Sequence, residues 1–137
     1  MKIKVMKQDD EGFWQLMGPH LVSNAVRKEL GMAISSDLSY TWFLAVEDGK
    51  CIGFCAAKEI NSATYFKGPG LEFRHRYVDP SHRGNGVGKK LMEARLKFAE
   101  GRNVKAVVIP DSQSTYEKLG FKKVFQRGQY PLMVRIV

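Results

Sequence analysis

Between Val78 and Lys89 the chain reads Val-Asp-Pro-Ser-His-Arg-Gly-Asn-Gly-Val-Gly-Lys, with glycines at 84, 86 and 88 between the cations Arg83 and Lys89. Glycine has no Cβ, so a turn built from it bends tightly and brings main chain close to a ligand. If a helix starts here, its first N–H groups have no intrahelical acceptor and point out of its end. The helix dipole favours an anion at that point, and the two cations add full charges beside it. Residues of these types in this order suit a diphosphate held on backbone amides. A Walker A loop does not fit, because counting back from Gly88-Lys89 its first glycine falls on Arg83, and position 90 is Lys rather than Ser or Thr. A dinucleotide fingerprint fits no better. It wants G-x-G-x-x-G directly after a first strand, whereas the spacing here is G-x-G-x-G and follows a run of hairpins.

The turn needs a strand before it and a helix after it, and the flanking residues supply both patterns. LEFRHRYV (71–78) alternates, with Leu71, Phe73, His75 and Tyr77 on one face and Glu72, Arg74, Arg76 and Val78 on the other. Residues 86–100 carry a helical stripe of Val87, Leu91, Ala94 and Phe98, widened by Met92, Leu96 and Ala99 and ended by Gly101. VKAVVI (104–109) then reads as a strand apolar but for Lys105, so the helix is a β-α-β crossover. Upstream, Ile3 and Val5 alternate with lysines. Asp9 or Asp10 is placed to cap a helix holding Phe13, Trp14 and Met17, which Gly18-Pro19 should break. Val22, Val26 and Leu30, with Ala25 and Ala33, predict a second helix. TWFLAV (41–46) and CIGFCAAKEI (51–60) flank Asp48-Gly49, a hairpin signal. Asp111 is placed to cap a short helix, SQSTYEKL, closed by Gly120. FKKVF (121–125) and YPLMVRIV (130–137) form two more strands around a turn at 127–129. The predicted order is β-α-α-β-β-β-α-β-α-β-β.

A chain of 137 residues is of single-domain size, and its 44% hydrophobic and 26% charged residues are an ordinary globular balance. No 18-residue apolar run marks a membrane helix, and the N-terminal residues lack the apolar stretch of a secretory leader, so a cytoplasmic location is expected. Cys51 and Cys55 read as free buried thiols, and with His20, His75 and His82 they make no zinc spacing, so no metal is expected. Charge is uneven. Residues 61–137 hold 15 basic and 6 acidic side chains, a net of +9, against −1 for residues 1–60. Such a surplus attracts phosphate-rich ligands, and beyond them a polyanionic or acidic partner, or it is a solvated basic face. Phe13, Trp14, Trp42 and Phe43 read as core aromatics, His75 as structural, and His82 as an exposed loop residue.

Arg83-Gly84-Asn85-Gly86-Val87-Gly88 resembles the Arg/Gln-x-x-Gly-x-Gly/Ala loop of the GCN5-related N-acetyltransferase (GNAT) family. Val78-Asp79-Pro80 resembles that family's strand exit, and Tyr116-Glu117-Lys118-Leu119-Gly120-Phe121 resembles its Tyr-Glu-Lys-x-Gly-Phe segment. The element order is similar over the whole chain. The resemblance implies an α/β fold in one domain, residues 1–137, with a mixed, mostly antiparallel sheet of about seven strands and helices on both faces. It implies acetyl-CoA as co-substrate and an amine as acceptor, attacked directly with no covalent enzyme intermediate.

The implied site follows residue by residue. The amides of Gly84, Asn85, Gly86, Val87, Gly88 and Lys89, with Arg83 beside them, would hold the CoA diphosphate. The strand at Tyr77 and Val78 would splay from 104–109 and admit the pantetheine arm. An N–H near Val78 would polarise the thioester carbonyl, and Tyr116 would give a proton to the leaving thiolate. The acceptor groove would lie between the first two helices and the turn at 127–131. Two positions depart from the family pattern. Ile109 stands where members often carry Asn, and Arg74 stands where they often carry a catalytic Glu. Glu72, two residues earlier on the same strand face, is the remaining candidate base, acting through a water; equally, it is a surface partner for Arg74 or Arg76. Tyr116 likewise reads as proton donor or as a core aromatic beside Leu119. Against the enzyme stands a non-catalytic CoA-binding or nucleic-acid-associated regulator on the same scaffold, as monomer or homodimer.

Overall fold

A computed structural model describes residues 1–137. The elements are β1 (Lys2–Met6), α1 (Phe13–Leu21), α2 (Asn24–Leu30), β2 (Tyr40–Glu47), β3 (Lys50–Ile60), β4 (Gly70–Val78), α3 (Val87–Phe98), β5 (Val104–Val107), α4 (Gln113–Lys118), β6 (Lys122–Arg127) and β7 (Tyr130–Arg135). This is the order expected from the sequence. Seven strands form one mixed, mostly antiparallel sheet in the order β1-β2-β3-β4-β5-β7-β6. No helix is long and apolar enough to cross a membrane. Two compact units can be described in turn: residues 1–57 with 74–98, and residues 58–73 with 99–137. The long strands β3 and β4 contribute residues to both.

In the first unit β1 pairs antiparallel with β2, Lys2 opposite Val46 through Met6 opposite Trp42. Asp48 and Gly49 both take positive φ, 51° and 75°, the left-handed pair that a tight hairpin requires. Neighbouring residues of β2 point to opposite faces. Trp42 meets Phe13 of α1 at 5.9 Å between ring centroids, and Phe43 meets Phe98 of α3 at 5.6 Å. Helices therefore cover both faces. The core under α1 and α2 gathers Phe13, Met17, Val26, Trp42, Leu44 and Phe54.

Several local expectations change. The α1 helix runs straight through Gly18-Pro19 instead of stopping there. A residue before proline normally avoids the helical region because its Cβ and N–H crowd the ring, and Gly18 has no Cβ to crowd it. Neither Asp9 nor Asp10 caps α1. Gly12, in a left-handed conformation, starts the helix, while the Asp10 carboxylate accepts from the Lys7 N–H at 2.8 Å and closes the preceding turn. Trp14 is half-exposed rather than core. The second helix is shorter than its apolar spacing suggested. Ser23 caps it by accepting from Val26 N–H, so Val22 lies outside and exposed.

In the second unit β4 pairs parallel with β5, Leu71 opposite Val104 through Phe73 opposite Ala106, the pairing of a β-α-β crossover. The β5 segment alternates instead of being buried throughout, because Val107 and Ile109 are exposed. Val108 N–H donates to Pro131 O at 3.0 Å. The β7 strand runs antiparallel to both β5 and β6. Asp111 does not cap α4; it lies in a 3₁₀ turn, Pro110–Ser112, that leads into the helix.

Candidate functional site

The glycine turn lies in the first unit, and local forces set its shape. Val78 ends β4, and Asp79 N–H donates to Ile52 O of β3 at 2.8 Å. Pro80–His82 form a 3₁₀ turn, with His82 N–H donating to Asp79 O at 2.9 Å. Gly84 and Gly86 then take φ of 83° and 82°, conformations that L side chains avoid, and a Cβ built on either meets nothing within 4 Å. The main chain is thus both turned and open. The first helical bond of this turn is Lys90 N–H to Gly86 O, at 3.1 Å. The amides of residues 87–89 precede it and have no acceptor within their own helix. The α3 helix sits close on the sheet because Gly53 of β3 is bare. A methyl there would come within 3.0 Å of Tyr77 O and 3.3 Å of both Leu91 and Val87.

The cations around the turn divide differently from the sequence expectation. Arg83 does not project freely toward a ligand. Its Nε donates to Val78 O at 2.8 Å, its Nη2 donates to both carboxylate oxygens of Glu29 at 2.7 and 2.8 Å, and its guanidinium lies 5.5 Å from the Tyr77 ring centroid. It straps α2 to the end of β4. Arg76 takes the position over the helix start, with Nη2 only 2.8 Å from where a Cβ of Gly88 would be. Sequence reasoning missed Arg76, which reads as an ordinary outward residue of an alternating strand. Lys89 is exposed in the first turn of α3.

Strand geometry also orients Val78. Successive N–H groups along a strand point to opposite edges. Asp79 N–H goes to β3, so Val78 N–H points to the other edge. Tyr77 is buried against Phe54, at 5.6 Å, and His20, at 5.9 Å. Burial, with the carboxylates of Asp79 and Glu29 nearby, pushes its phenol above the usual range. His20 meets Cys51 O through Nε2 at 2.8 Å and faces Asp79 through Nδ1 at 3.9 Å. His82 lies 3.4 Å from Glu47. Both thiols are free and buried, and burial lifts Cys51 to about 12 and raises Cys55 as well.

The other two candidates lie in the second unit. Tyr116 is buried on α4, its ring edge-on to Phe121 at 5.0 Å, and its carbonyl accepts from Leu119 and Phe121 N–H at 3.0 Å each. Glu72 makes an ion pair with Lys105 at 3.0 Å, its cross-strand neighbour.

The profile of the acetyltransferase (GNAT) family matches residues 8–121. The chain belongs to this family. Over 97 residues, 66% of this chain, it is 30% identical to N-acetyltransferase 8B of Homo sapiens, and the match spans 42% of that protein's length. The crystal structure of ElaA from Escherichia coli superposes with a TM-score of 0.74 at 15% identity, over 98% of this chain and 99% of that one. The PaiA N-acetyltransferase of Thermoplasma acidophilum, in complex with coenzyme A, gives 0.60 at 18% identity over 100% of each chain. At such identities the structural likeness is one of fold. The turn at 84–89 and the segment at 116–121 both lie within the matched residues. Ile109, where members often carry Asn, is exposed and apolar.

Proposed function

We propose that this chain is an acetyl-CoA-dependent N-acetyltransferase acting on a primary amine, with residues 1–137 as one catalytic domain. The observation that carries the reading is the open, left-handed glycine turn at 84 and 86, leading into helix amides with no acceptor of their own. These residues fit a diphosphate: the turn is clear of side chains and the first turn of α3 lies under the Arg76 guanidinium. The family match and the GNAT neighbour holding coenzyme A support the same ligand.

Bound acetyl-CoA supplies the activated acetyl group. The amides of residues 84–89, with Arg76 and Lys89, hold its diphosphate. Val78 N–H donates to the thioester carbonyl oxygen and stabilises the negative charge that grows there as the amine attacks. Tyr116 donates its hydroxyl proton to the departing sulfur. Arg83 contributes by holding α2 and the strand exit rather than by touching phosphate. Glu72 is paired with Lys105, and the acceptor amine loses its proton to water.

The test has two arms. Calorimetry with CoA and with acetyl-CoA reads the grip. Mass spectrometry of polyamines, aminoglycosides and peptides incubated with the chain and acetyl-CoA reads the transfer as a gain of one acetyl group. Binding without any acetylated product would favour a regulator that only senses the coenzyme. No binding would sink the reading altogether.

A further inference from the structure

Arg95 stands in the middle of α3, on the stripe that faces the sheet, and is only 2% exposed. A guanidinium stays protonated in a protein, so its burial takes a full charge out of water, which well-directed hydrogen bonds must offset. Its Nη1 donates to Ala56 O of β3 at 3.1 Å and to Arg74 O of β4 at 3.2 Å, and its Nη2 lies 3.8 Å from Met92 Sδ. One helix side chain thus joins two neighbouring strands through their carbonyls.

The β4 carbonyl it holds is at an irregular place. The next residue, His75, takes φ of 52°, a left-handed conformation unusual for a residue with a side chain and rarer inside a strand. Side chains confirm the break. Arg74 Nη1 donates to the Tyr40 hydroxyl at 2.8 Å, and the His75 ring stacks on the Tyr40 ring at 6.1 Å and on Trp42 at 5.7 Å. Successive residues of a regular strand point to opposite faces, yet these two reach the same tyrosine. The alternation expected over 71–78 therefore slips between Arg74 and His75, as at a β-bulge. A slip of one residue reverses the facing of everything beyond it. Tyr77 and Val78 lie just beyond it.

We propose that Arg95 is a positioning residue: its grip on the carbonyls of Ala56 and Arg74 holds the left-handed turn of β4 at His75, and so fixes the facing of Tyr77 and of the Val78 N–H. This rests on the acetyl-transfer reading for its catalytic consequence, but not for its structural one. In Arg95→Met the clamp is gone while the helix face stays apolar. NMR of the labelled chain reads φ at His75 directly, through its Cα shift and its HN–Hα coupling. The expected result is a His75 signal moving from left-handed to extended, with kcat reduced at least about tenfold. The affinity for free CoA, which the glycine turn governs, should stay within about threefold. Arg95→Lys keeps the charge but not the fork and should fall between, and it carries the test if the methionine variant does not fold. A folded variant in which His75 stays left-handed would overturn the proposal, as would a relaxed His75 with kcat unchanged. The NMR reading needs no turnover, so a chain that transfers no acetyl group would sink the functional reading and leave the clamp to be judged on His75 alone.

Discussion

The glycine turn before α3 and the tyrosine segment of α4 each carry half of the family resemblance, and in the proposed reading they present their working atoms differently. The turn would work through main chain. Its geometry is set by two residues that alone tolerate φ near 82°, and no side chain fills it. The α4 segment would work through one phenol on a six-residue helix, packed on Phe121. A main-chain site is written directly in residue types, because only glycine permits it. A side-chain site depends on what tertiary packing places around it. Glu72 makes the same point: it pairs with Lys105 across the β4–β5 ladder, a partner that spacing along one strand does not name.

The comparison can be broken most decisively at Gly86. Gly86→Glu adds a strained side chain and a negative charge at the helix start, so acetyl-CoA binding should weaken more than about a hundredfold. An unchanged dissociation constant by calorimetry would remove the cradle. Next in size, Tyr116→Phe keeps the packing on Phe121 and loses only the hydroxyl. It should lower kcat by about a hundredfold with little change in coenzyme affinity. If kcat holds where chemistry limits the rate, Tyr116 is packing alone.

A smaller effect tests burial beside the turn. Cys51 binds its proton more tightly folded, at about 12, than at the ordinary 9.0. Its contribution to stability is therefore whole below pH 9 and lost as pH rises toward 12, by up to about 1.4 kcal/mol per pH unit. Denaturation midpoints across that range should fall less steeply in Cys51→Ala; equal slopes would show that the thiol is not the group responsible. Smallest of all, Glu29→Gln loosens an exposed pair. Coenzyme affinity should change by about twofold or less, because such pairs contribute little. A tenfold loss would mean that the Arg83 strap is part of the grip after all.

The element order was legible because apolar periodicity marks the elements and glycine breaks recur at most joints. What was not legible shares a cause: each case depended on a neighbour that spacing does not reveal. Gly18 relieves the crowding by Pro19, and α1 runs on. Asp10 is taken by Lys7, so it caps nothing. Arg95 interrupts an otherwise apolar stripe, yet it is more deeply buried than Met92. The reason is a pair of carbonyls on the sheet beneath it, invisible until β4 is seen to slip. The glycine turn needed no such help.

The position of β7 has a consequence for how the chain is made. In the sheet it lies between β5 and β6, although it follows both in sequence. Until residues 130–135 have left the ribosome, β6 lacks the strand it pairs with and β5 lacks one of its two neighbours. Between the making of β5 and of β7 that unit stays unfinished, with backbone edges of both β5 and β6 left unpaired. Synthesis slowed between β5 and β7 would prolong that exposure, whereas a pause before α3 would not.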